Sequence, residues 1–229
     1  MNKLQLIALS VFSALLVLGL VTQRHAIACE MVGFTEYQQL APNVYAAAHF
    51  DESASALAAI RQGKARVEST FGPMRATPKI VLVADRQEAA RFGANSTATA
   101  NYTPFGTCIV LAEHGQNVDV AAHELVHAEV GARVGWLTHW VAIPIWFNEG
   151  VALMVDHRAP FLVENIRLGA AEVAAVKRLT YGNEFFRGGN AHQNYLASRL
   201  AVQTVEPLEL YQHLERIRNG QSFESVFRL

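Results

Sequence analysis

The chain has 229 residues, a formal net charge of -1 and a sequence pI near 6.8. That balance excludes the strongly basic footprint that binding to nucleic acid, or to anionic lipid through charge alone, would require. With an N-terminal leader set aside, about 200 residues remain, which fits one domain with a sizeable core.

From Leu4 to Gln23 no residue is charged and Leu, Val, Ile and Ala dominate. A secretory apolar region is usually about 7 to 15 residues and a spanning helix about 18 or more, so this run sits at the anchor end of the range. Ala26-Ile27-Ala28 nevertheless reads as a cleavage signal, and Cys29 follows at once in the manner of a lipoprotein site. Residues 1–28 are therefore expected to be a signal peptide or an N-terminal membrane anchor. Uncleaved anchor, cleaved signal and lipid-modified Cys29 all place the remainder on the periplasmic or extracellular side, with Lys3 left inside. The two cysteines, Cys29 and Cys108, could form one disulfide there unless Cys29 carries a lipid.

Val44 to Phe50 reads as a short strand, and Asp51 or Ser53 then caps a helix running to about Phe71, where Gly72-Pro73 stops it. The β-branched run Lys79 to Ala84 predicts a buried strand. A short helix through Gln87 to Phe92 follows, then a polar loop that includes Asn95-Ser96-Thr97 and Asn101-Tyr102-Thr103, then a strand from Thr107 to Ala112. From Asn117 the pattern is helical to the C-terminus, with breaks near Gly135, Arg158-Ala159-Pro160, Gly182 to Gly189 and Gly220. Strands early and helices late predict an α+β fold, a small mixed or antiparallel sheet packed on a helical body. Residues 29–229 form the domain, with a sheet-containing lobe at 29–134 and a helical lobe at 135–229.

His123-Glu124-Leu125-Val126-His127 carries the chemistry. On a helix, four residues advance about 6 Å and turn about 400°, so two imidazoles one turn apart converge on one ion. Glu124, rotated about 100° from His123, is placed to reach a water instead. Asn117 as cap and Asp119 in the first turn, with the stripe Val118, Ala122, Leu125, Val126 and Val130, support that helix. Catalytic zinc needs a third protein ligand and an open position. Val130 and Arg133 stand where a metzincin would have Gly and His. Glu149, after 21 intervening residues, lies in Pro144-Ile145-Trp146-Phe147-Asn148-Glu149-Gly150-Val151-Ala152, where Pro144 suits the first turn of a second helix.

The stretch Trp146 to Ala152, downstream of the His123 pentapeptide, resembles the W-L-N-E-G-x-A segment of the aminopeptidase N family and its counterpart in the peptidase MA-like family. Both are gluzincins with a thermolysin-like arrangement. The closing segment Asn219 to Phe227 is similar to the C-terminal pattern of peptidase MA-like proteins, so the resemblance spans about residues 107 to 227. It implies one Zn2+ held by His123, His127 and Glu149, with Glu124 as general base in peptide hydrolysis. It also implies a downstream Tyr or His at the oxyanion, for which His192 and Tyr195 share a helix face, with Tyr181 a weaker candidate.

Leu153 stands where thermolysin-like enzymes carry an Asp that orients a ligand His, and Asp156, two turns along, reads as too far, which leaves that role unassigned. The G-x-M-E-N segment that grips a free amino terminus is absent, which favours an endopeptidase. The expected partners are a peptide or protein substrate and the membrane, with no nucleic acid. The strand Thr107 to Ala112 is a candidate edge for an extended peptide, while His139 and His157 read as surface or packing residues. Other readings of the same residues are a catalytically inactive, membrane-attached zinc-binding scaffold and a nonpeptide zinc hydrolase.

Overall fold

The computed structural model describes residues 21–48, 50–187 and 189–229, together with residues 5, 6, 9, 10, 12, 13 and 19. Most of the apolar run from Leu4 to Gln23 therefore lies outside the described residues. Among the described residues no helix is long and apolar enough to cross a membrane.

From Arg24 the elements run α1 (Arg24–Glu30), β1 (Gln38–Ala41), β2 (Val44–Ala46), α2 (Ser53–Phe71), β3 (Lys79–Leu82), α3 (Arg86–Arg91), β4 (Ala98–Thr103) and β5 (Gly106–Leu111). The helical remainder is α4 (Val118–Val134), α5 (Trp136–Ala142), α6 (Ile145–Ala152), α7 (Ala170–Val176), α8 (Gly182–Phe186), α9 (Ala191–Ala201), α10 (Leu210–Arg218) and α11 (Phe223–Phe227). The fold is α+β, with one five-stranded mixed sheet in the order β1-β2-β3-β5-β4. The central pairs β2–β3 and β3–β5 are parallel, and the outer pairs are antiparallel.

Alternation along the central strands divides the core. Ile80, Leu82, Ile109 and Leu111 face α2 and α4, whereas Val81, Val83, Cys108 and Val110 face α1 and α3. Because both faces are covered, β3 and β5 read as continuous apolar runs in the sequence. Helix α1 spans the expected boundary at residue 28 and is tied to the sheet by the Cys29–Cys108 disulfide, which closes a 79-residue separation. That bond occupies the thiol that lipidation of Cys29 would need.

Two expectations are corrected by the sheet. The polar stretch read as a loop forms β4, which pairs with β5 from Ala98↔Leu111 to Thr103↔Gly106. Its residues are half-buried without alternation, since one face meets α1 and the other borders a cavity. Consequently β5 is an interior strand, and the free edge beside the helical body belongs to β4.

Candidate metal centre

Asn117 caps α4 by accepting a hydrogen bond from Val120 N at 3.1 Å. The helix is packed on nearly every side between the sheet, α2 and α6, so the expected apolar stripe is broader than a single face. Gly150 explains how α6 reaches its place. A Cβ there would lie 2.5 Å from Ser198 O, so only glycine lets α6 approach α9 this closely and carry Glu149 to α4.

Three donor atoms meet between the two helices. His123 Nε2 and His127 Nε2 are 3.1 Å apart, and Glu149 Oε2 lies 3.3 Å from the first and 3.5 Å from the second. All three side chains are buried, and together they form a group that could hold a metal ion. The triangle fits one: bonds of about 2.0 to 2.1 Å in tetrahedral geometry give ligand-to-ligand edges of about 3.3 Å. The same three atoms also pair directly, Glu149 with both imidazoles, as they do when no cation stands between them.

The charge pattern agrees. Burial opposes the charged form of Glu149, yet the neighbouring imidazoles His127 and His123 overcome it and hold the carboxyl down at about 2. Burial likewise opposes protonation of His127, and Glu149 reverses this, raising it to about 9. A cation at the centre would replace that proton. Glu124, one residue along from His123, is pushed up by burial and pulled partly back by His127 and His123. Its Oε2 is buried without a hydrogen-bond partner.

Asp156 corrects the sequence reading. Helix α6 ends at Ala152, so residues 153–156 turn back instead of climbing away, and Asp156 Oδ2 comes to 3.8 Å from His123 Nδ1. The turn is clamped at the start of α4. Arg66 donates to Asp119 Oδ1 at 2.5 Å and to Val155 O at 2.9 Å, and His157 N donates to Asp119 at 3.1 Å. Arg158 then grips both oxygens of the fully buried Asp156.

The centre opens into a cavity of about 620 Å³ lined by His123, Glu124, His127, Glu149 and, on one wall, Ala98, Thr99 and Ala100 of β4. Tyr195 of α9 lines it as well, and burial with Glu149 and Glu124 nearby raises its phenol, so it stays a proton donor. His192 does not join it. From Ala191 to Tyr195 the helix turns about 40° beyond one revolution, whereas His192 falls about 60° to the other side. It is exposed, against the rim of Phe161. Tyr181 is 66% exposed and lies outside the lining.

Three further lining residues escaped the sequence reading: Tyr102, His139 and Asn148. His139 is buried and stacked on Tyr102 at 3.9 Å, with neither ring nitrogen hydrogen-bonded, and Asn148 donates to the Tyr102 hydroxyl at 3.2 Å. Burial, assisted by His127, pushes His139 down to about 4, so it is a neutral imidazole at ordinary pH. Its one sequence signal was position, a polar ring inside the uncharged run between the two metal segments. No family model, curated protein or solved structure matches the chain.

Proposed function

We propose that the chain is a zinc-dependent peptidase of the gluzincin type, similar to peptidase MA-like proteins, that cleaves within peptide chains. One observation carries this reading: the His123, His127 and Glu149 donors share a centre, and the unpartnered Oε2 of Glu124 lies in the same cavity. Two imidazoles and a carboxylate suit zinc. The chemistry bound zinc supplies is Lewis acidity, which brings the pKa of a water toward about 7 and polarises a carbonyl.

The chain's own residues do the rest. Asp156 sets its negative charge 3.8 Å from His123 Nδ1, the ring nitrogen that does not face Glu149. Glu124, its proton affinity raised by burial, takes a proton from the attacking water and delivers it to the leaving amine. Tyr195 donates a hydrogen bond to the oxygen on which negative charge develops. The free edge of β4 offers main-chain groups to an extended peptide, independent of its side chains.

Among the described residues no Lys or Arg lines the cavity, and the acids that line it are Glu124 and Glu149. A terminal carboxylate would find no counter-ion among these side chains, and a terminal amine no acid beyond the two already engaged, which supports cleavage at internal bonds. The test uses the whole chain, because truncation at residue 30 would remove half of the Cys29–Cys108 bond. Zinc content and peptide-library cleavage are compared with Glu124→Gln. One zinc per chain in both proteins, with cleavage only in the unaltered one, is expected. Equal cleavage by both would overturn the assignment.

A further inference from the structure

We propose that the mouth of the metal cavity faces a lipid bilayer, into which an apolar rim centred on α5 inserts. The segment from Gly135 to Asn148 has no charged residue. On α5, Leu137, Trp140 and Val141 are 67%, 59% and 84% exposed, and their spacing puts them on one face while His139 turns inward. Trp140 also lines the cavity, as does the exposed Phe186 of α8. Tyr181 joins Trp140 and Val141 around the adjoining groove. Single exposed apolar side chains are ordinary on a protein surface, whereas a contiguous set around a mouth marks a contact surface.

A second observation identifies the partner. The uncharged run Leu4 to Gln23, long enough for the hydrocarbon layer, joins the fold through α1. The first turn of α1 adjoins the cavity wall at Gly93. A Cβ on Gly93, itself a lining residue, would meet the His25 ring at 2.9 Å, and His25 Nδ1 donates to Arg91 O at 3.1 Å. A bilayer that held the uncharged run would meet the fold at the start of α1, beside this wall of the cavity. With a formal net charge of -1, burial of Trp, Tyr and aliphatic side chains provides the contact, not attraction to anionic lipid. Given the peptidase reading on which this consequence rests, the substrates are chain segments emerging from the membrane surface.

The orientation can be read without activity. The full chain is reconstituted into phosphatidylcholine vesicles with or without brominated acyl chains, and tryptophan emission is compared among the unaltered protein, Trp140→Phe, and Trp140→Phe combined with Phe34→Trp. Phe34 is 84% exposed and follows Gly33, which touches Tyr45 of β2, three strands from β4 or about 14 Å across the sheet. Bromine is expected to quench the unaltered protein, to lose most of that effect in Trp140→Phe, and to leave the added tryptophan at position 34 untouched. No quenching of Trp140, as when a second copy or a soluble protein covers the face, would overturn the proposal, and so would equal quenching at position 34.

A second arm reads cleavage. Leu137→Ser with Val141→Ser should slow cleavage of a lipid-anchored peptide by about tenfold or more and leave a soluble peptide unaffected. Equal rates on the anchored peptide with and without the substitutions would count against the proposal. Absence of all cleavage alongside the expected quenching pattern would refute the peptidase reading while upholding the orientation.

Discussion

Helix α4 buries two glutamates less than two turns apart, and they are treated in opposite ways. Glu129 receives hydrogen bonds from Arg75 N, Ala76 N and Arg133 Nε at 2.6 to 3.0 Å, so its charge is consumed by the fold. Arg133 in turn reaches Glu215 and Pro73 O and lies over the Tyr211 ring, which makes this end of α4 a junction between α2, β3 and α10. Glu124 is also buried, yet its Oε2 has no hydrogen-bond partner and the residue lines a cavity. Burial without compensation costs stability, and a fold retains it where the group has other work.

The strongest way to break that contrast is to neutralise each acid. Glu124→Gln should lower peptide hydrolysis by about a thousandfold or more while the thermal midpoint stays level or rises. Glu129→Ala should instead lower unfolding stability by about 3 to 5 kcal/mol, because three donors lose their acceptor in the interior. Denaturant titration of both variants checks the pair, and a destabilised Glu124→Gln would erase the distinction.

A smaller effect is expected one step behind the metal ligands. Asp156→Ala should weaken zinc affinity by about 10- to 100-fold, measured by competition with a chromophoric chelator, since the negative charge beside His123 Nδ1 is removed. Smaller still is the pH effect at Asp119. Burial raises its pKa, but the hydrogen bond from Arg66 and that from His157 N outweigh burial and leave it below 3.8. A folded pKa below the unfolded one gives stability that is present above the unfolded value and lost as pH falls through the folded one. Asp119→Asn should therefore show a flatter fall in stability below about pH 4, measured by acid titration of the far-UV signal.

The sequence was most legible where a single local rule decides. Pentapeptide spacing fixed the face of His123 and His127, β-branched runs marked β3 and β5, and Gly72 and Gly135 ended α2 and α4. It was least legible where a tertiary neighbour decides. Strand β4 has the Ser, Thr and Asn content of a loop, and only pairing with β5 extends it. Asp156 looked remote because the end of α6 at Ala152 has no Gly or Pro to announce it. His139 became a cavity residue through stacking on Tyr102, a partner 37 positions earlier on that unforeseen strand. His192 was separated from Tyr195 by helix rotation, which a shared-face argument is too coarse to resolve.

Calorimetric titration of zinc into the metal-depleted full chain, run in parallel with His127→Ala, addresses the centre most directly. One ion bound per unaltered chain, with proton release and with binding lost in the variant, is the expected result. No binding at the unaltered centre, or binding that survives loss of His127, would contradict a site built from two imidazoles and one carboxylate.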